Sequence, residues 1–259
     1  MVTREIEDDL ICIRQRDHAA VSGWLAEAWG SAEVPALAPR EAVVIAARHH
    51  DDGWIDVDSG PRFNPATGQP YSYKDARAEV ALAVADRSVE AVAERDPYAG
   101  WLVSRHFASF HAGVEHDPDR AKWVERQVGR RARLLAEAAD DVPPAALHPH
   151  ALEANFDWLQ LLDSVSLALC HAWQTWESRP MAAEYGEAET RYRYCRREFS
   201  SDGLAVVGTL DPFPFEARAL KTRVVTRRLT GCRWSGATDL LRAWESGAPA
   251  SLEVTLSAA

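Results

Sequence analysis

Hydrophobic positions in this chain follow two periods. Thr3–Ile6 and Leu10–Ile13 are short β-branched runs on either side of Asp8-Asp9, which predicts a pair of strands. From Arg14 the spacing becomes helical. Val21, Leu25 and Trp29 form one stripe, and Gly30 supplies a stop. A second helix begins near Pro39 and runs to about Asp51, with Val43, Ala46 and Ala47 on its apolar face. Residues 53–73, rich in Gly, Pro and aromatic residues, show no period and read as a long ordered loop of the kind that often rims a site. Further helices are predicted over Asp75–Glu94, Tyr98–Ala112, Asp117–Ala139 and Pro149–Trp176. Two of these open with an Asp-Pro start, Asp96-Pro97 and Asp117-Pro118. After Arg179-Pro180 the pattern changes to strands at Thr190–Phe199, Leu204–Thr209, Ala219–Leu229 and Ser251–Leu256, with a short helix at Ala237–Glu245.

This order predicts a mainly α protein. A helical domain with a short N-terminal strand pair covers residues 1–182, and a small β-rich segment, 183–259, packs on it, giving an α+β whole. The N-terminal strands could join that segment and make one compact unit.

Certain polar residues interrupt the apolar stripes. His18 lies on the stripe of Val21, Leu25 and Trp29, and His50 continues that of Val43, Ala46 and Ala47, with Asp51 beside it. His106 falls with Leu102, Val103 and Phe110, and Asp163 falls among Phe156, Leu159, Leu162 and Ser166. A polar side chain is costly to bury unless it is hydrogen-bonded, paired or metal-bound. Imidazole nitrogen and carboxylate oxygen together suit a divalent ion in a mixed site, and helical bundles build such sites from facing helices. Adjacent residues on a helix point about 100° apart, so His50 and Asp51 can reach one ion at a helix end, just before Gly53. A purely hydrogen-bonded cluster remains the alternative at this point.

Composition narrows the function classes. The chain has 259 residues, 47% of them hydrophobic, and a net charge of −10. That balance argues against a surface made for nucleic acid or anionic membranes. Arg191, Arg193, Arg196 and Arg197 alternate with Tyr192, Tyr194 and Cys195, which fits a half-exposed strand rather than a nucleic-acid patch. The four cysteines are scattered without a framework, and no stretch reaches the length of a membrane helix. The expectation is a cytoplasmic protein acting on a small molecule, with neither nucleic acid nor membrane as partner and a homodimer left open.

The order His18, His50-Asp51, Asp163 resembles the HD superfamily of metal-dependent phosphohydrolases. More narrowly, Gln15-x-Asp17-His18, His50-Asp51-x-Gly53-Trp54, Asp96-Pro97-Tyr98 with Leu102-Val103-Ser104-x-His106, and Asp211-Pro212-Phe213-Pro214-Phe215 resemble an uncharacterised bacterial family related to it. The resemblance implies an HD-type helical bundle and a divalent metal (Mn, Fe, Mg, Ni or Zn) held by His18, His50, Asp51 and Asp163. His106 would be a further ligand or an acid on the phosphate side. Asp51 or Asp52 would orient a water, Arg48 or Arg105 would balance phosphate charge, and His49 and His111 would extend the site to a second ion. A di-iron oxygenase and a degenerate scaffold that binds a ligand or partner ask for the same residues. His116, His148, His150 and His171 read as structural.

Overall fold

The structure, a computed structural model, describes residues 1–32, 34, 36–111, 113, 117–181 and 190–259. His116 and the expected 182/183 boundary lie outside the described residues.

In chain order, strands β1 (Val2–Ile6) and β2 (Asp9–Ile13) form a hairpin. Helices α1 (Gln15–Ala28) and α2 (Arg40–His49) follow, and a 3-10 turn, Asp52–Trp54, continues α2. The loop carries a small ladder, β3 (Phe63–Asn64) with β4 (Gln69–Pro70), and ends in a second 3-10 turn, Tyr73–Asp75. Then come α3 (Ala78–Ala93), α4 (Pro97–His111), α5 (Pro118–Ala138) and α6 (Pro149–His171). The remainder is β5 (Thr175–Glu177), β6 (Arg193–Phe199), β7 (Ala205–Asp211), β8 (Ala219–Leu229), α7 (Ala237–Ser246) and β9 (Ala248–Ala258).

The expected HD-type, mainly helical bundle with a small β-rich segment is not what forms. Seven strands make one curled mixed sheet in the order β1-β2-β8-β9-β7-β6-β5, so the fold is α+β with the sheet as a full partner of the helices. Neighbouring strands are antiparallel except β7 and β9, which run parallel. The sheet grows large because strands from both ends of the chain and from behind α6 join it. β2 pairs with β8 (Leu10 opposite Leu229), and β5 pairs with β6. Strands β8 and β9 pair over ten positions from Ala219–Ser257 to Arg228–Ala248, far longer than the sequence pattern around Ser251–Leu256 suggests.

Alternation sets the faces. Val224 and Thr226 on β8 and Leu252, Val254 and Leu256 on β9 are buried, while Val225 between them is 58% exposed. The buried face and the inner stripes of α1, α2, α4 and α6 share one continuous core. Local signals place the helices as expected. Asp96 accepts from the Ala99 backbone N–H at 2.8 Å, and Asp117 accepts from those of Asp119 and Arg120. One expectation fails: the last long helix ends at His171 rather than Trp176. Ala172 takes the left-handed conformation (φ 53°, ψ 44°) that usually calls for glycine, so the sequence carries no warning, and Trp176 lies in β5. None of the helices among the described residues is long and apolar enough to cross a membrane.

Two close approaches bring the polar residues together. A Cβ on Gly23 of α1 would lie 2.5 Å from Arg48 Cβ on α2, so only glycine lets these helices meet so closely. Gly53, directly after His50-Asp51-Asp52, packs its backbone on α3. Its N–H donates to Ser88 Oγ at 3.0 Å, and a Cβ there would lie 2.1 Å from the Val84 carbonyl oxygen.

Gly53→Ala must therefore push backbone against backbone. It is expected to destabilise the fold by about 1–3 kcal/mol or more, read as a lowered urea midpoint. Gly60→Ala, where a Cβ would meet nothing within 4 Å, should stay within about 0.5 kcal/mol of the parent. Equal midpoints for the two variants would refute the role given to Gly53.

Candidate metal centre

Four helices each deliver a polar side chain to one point in the core. α1 supplies His18, the end of α2 supplies His50 and Asp51, α4 supplies His106, and α6 supplies Asp163. All five are buried. Donor atoms of His18, His50 and Asp163 lie within 4.8 Å of one another, the spacing at which one ion could be shared. Asp51 Oδ2 stands 2.8 Å from His18 Nε2 and 3.7 Å from His50 Nε2. Asp163 uses both oxygens: Oδ1 lies 3.3 Å from His50 Nε2, and Oδ2 lies 3.8 Å from His106 Nε2. The three imidazoles stack edge to face, His18 on His50 at 5.3 Å and His50 on His106 at 5.4 Å between centroids.

Hydrogen bonds behind the rings set which nitrogen faces the cluster. His50 Nδ1 lies 2.9 Å from the Ala47 carbonyl, which can only accept, so Nδ1 carries the proton. Nε2 then presents its lone pair inward in the neutral ring, and this buried atom has no hydrogen-bond partner. On the other side, Ser166 Oγ donates to the Asp163 carbonyl at 2.8 Å and accepts from Ser22 Oγ at 2.9 Å. His18 Nδ1, 2.8 Å from the same hydroxyl, is therefore the donor, and Nε2 is hydrogen-bonded to Asp51 Oδ2 at 2.8 Å. Gln15 Nε2 donates to Asp51 Oδ2 at 3.0 Å and fixes that carboxylate. Partners behind the ligands commonly decide ring orientation and basicity in metal sites.

Charge in the cluster is tightly coupled. Burial works against charging His50, but the carboxylates of Asp51 and Asp163 outweigh it and push the imidazole up to about 9. Burial also opposes ionising Asp163 and Asp51. The neighbouring imidazoles, His50 first, nevertheless hold both carboxyls below the usual range. His106 goes the other way, pushed down to about 4 mainly by burial, with Asp163 opposing and His50 adding to the fall. It is neutral near pH 7, and its Nδ1 has no partner.

Other residues singled out from the sequence lie elsewhere. Asp52 faces away, accepting from His49 Nδ1 at 3.0 Å and from Arg95 at 2.7 Å. Arg105 pairs with Glu153 at 3.3 Å and lies over the Phe156 ring. Arg48 pairs with Glu27 at 2.7 Å, and His111 packs edge-on to Trp123. Gln15, Ser22 and Ser166 were not read as site residues, although Ser22 lies four positions after His18 and Ser166 three after Asp163. Polar residues at helical spacing from a candidate ligand were the available signal.

The sequence profile of a family described as "Protein of unknown function (DUF3891)" matches residues 1–231, and the chain belongs to that family. This supports the resemblance to an uncharacterised domain family and does not extend to the HD superfamily. No curated protein and no solved structure matches the chain.

If Ser166 sets the His18 ring, Ser166→Ala should weaken binding of a divalent ion by about 10–100-fold with an unchanged far-UV circular dichroism spectrum. Titration against a competing chelator measures this, and unaltered affinity would refute the orienting role.

Proposed function

We propose that this member of a family of unknown function is a metal-dependent hydrolase acting on a small phosphorylated molecule. One observation carries the reading. The buried His50 Nε2 has no hydrogen-bond partner and is aimed between two buried carboxylates, beside a second imidazole held by Ser166 and Asp51. The donor set fits a divalent ion: two imidazole nitrogens and two carboxylate oxygens whose charges would balance it. His18, His50 and Asp163 would hold the ion, with Asp51 as the fourth donor on the same side.

A divalent ion bound there would lower the pKa of water from 15.7 toward about 7 and polarise a phosphoryl oxygen. The chain's own residues prepare for that chemistry. Ser166 and the Ala47 carbonyl keep His18 and His50 in ligating orientation. Gln15 holds Asp51, whose carboxylate can accept a proton from a water at the cluster. His106, neutral and with a free Nδ1, can take up or release a proton on the side of Asp163 opposite His50. The surrounding apolar core limits bulk water and strengthens each of these interactions.

A second reading has its own support. With His50 protonated between Asp51 and Asp163, the cluster nearly balances its own charge, as a scaffold holding a binding surface would require.

Elemental analysis separates the two. The hydrolase reading expects a bound divalent metal in the purified protein, lost in His50→Ala and Asp163→Asn. It also expects turnover of phosphomonoesters or phosphodiesters that falls to background in both variants. Metal-free native protein whose metal content is unaffected by His50→Ala would remove it.

A further inference from the structure

The loop after the Asp52–Trp54 turn buries a carboxylate that lies outside the metal centre. Asp58 is only 2% exposed, and both of its oxygens are engaged. Oδ1 accepts from the Met1 α-ammonium at 2.8 Å, and Oδ2 accepts from the Gln15 backbone N–H at 2.8 Å. A buried carboxylate needs an opposite charge and further hydrogen bonds, and Asp58 has both.

Its place answers a need of α1. The first N–H groups of a helix have no partner within the helix, and a side chain at the N-cap ordinarily accepts from one of them. Arg14 stands at that position and makes no such bond. Asp58 accepts instead, from 43 residues further along the chain. The helix start held in this way is the one that serves the cluster. Gln15 Nε2 donates to Asp51 Oδ2 at 3.0 Å, and His18 Nε2 lies 2.8 Å from the same oxygen.

The backbone closes the path. Trp54 N–H donates to the Asp51 carbonyl at 3.0 Å, and Asp58 N–H donates to the Trp54 carbonyl at 2.8 Å. Hydrogen bonds thus run from Asp51 through Trp54, Asp58 and Gln15 and return to the Asp51 side chain. A carboxylate can only accept, which turns Nε2 of the Gln15 amide toward Asp51. The other end of that amide, Oε1, is buried with no hydrogen-bond partner. The hold on Asp51 therefore depends on where the Gln15 backbone sits.

We propose that Asp58 is a positioning residue of the metal centre, acting on Asp51 through Gln15. Its effect on metal binding rests on the metal-dependent reading above. Asp58 clasps the start of α1 to the turn that carries Asp51, and so keeps the Gln15 amide against Oδ2.

The test compares the full chain, its Met1 amine unextended, with Asp58→Asn, Gln15→Leu and the double variant. Asp17→Asn is the control, since Asp17 belongs to the same first turn but pairs with Arg14 at 2.6 Å. Two quantities are read: the Gln15 side-chain amide signals in ¹H–¹⁵N spectra of metal-free protein, and Mn²⁺ affinity against a competing chelator. Asp58→Asn is expected to move the Gln15 signals and speed their exchange with water, while Asp17→Asn leaves them in place. Mn²⁺ affinity should fall about 10-fold in Asp58→Asn and in Gln15→Leu. The double variant should stay within about twofold of Gln15→Leu, because both changes break one path. Where Asp58→Asn does not fold, Asp58→Glu keeps the charge, displaces the acceptor and gives the same comparison. Unmoved Gln15 signals, or losses of affinity that multiply in the double variant, overturn the assignment. Failure of the metal reading looks different: a parent with no affinity for Mn²⁺, in which the Gln15 signals alone decide whether Asp58 positions that amide.

Discussion

Two carboxylates buried against the same imidazole, His50, set the terms for this fold. An ionised carboxylate taken out of water costs several kcal/mol even after relaxation, and two side by side repel as well. Asp51 and Asp163 are tolerated because three imidazoles surround them and because Gln15 donates to Asp51. Each helix that contributes must present one particular side chain at one point. This requirement fixes the rotation of α1, α2, α4 and α6 about their axes more tightly than apolar packing alone, which accepts many hydrophobic substitutions. Glycine at positions 23 and 53 follows from the same demand, since α1, α2 and α3 must come close for the groups to meet.

Much of this was legible from sequence, for a physical reason. His18, His50, His106 and Asp163 each interrupt an apolar helical stripe, and a stripe reports the direction of a side chain. Asp52 and Arg105 show where that logic stops. Each neighbours a cluster residue in sequence, but adjacent helical positions diverge by about 100°. Asp52 accordingly turns to His49 and Arg95, and Arg105 turns to Glu153. Asp58 could not be found this way, because it belongs to a loop without a period, and loop direction is set by tertiary contacts.

The sheet was the less legible part. Its strands were mostly placed, but their assembly was not, since pairing of β2 with β8 leaves no local trace. The ion pair between Asp9 and Arg228 joins residues 219 apart. A strand's own pattern says which face is buried and not which strand it lies beside. The end of α6 escaped for a different reason: Ala172 adopts a glycine-like conformation with no glycine to announce it.

The pairing of β2 with β8 also has a temporal meaning. His18 lies just past β2, yet the strand that holds β2 in the sheet ends at Leu229. On a ribosome adding at most about 20 residues per second, roughly ten seconds separate the emergence of the two. Until then the hairpin lacks its neighbouring strand, and long-range pairing of this kind forms slowly. The hairpin that leads into the first imidazole of the cluster is thus among the earliest elements made and among the last to be locked into the sheet.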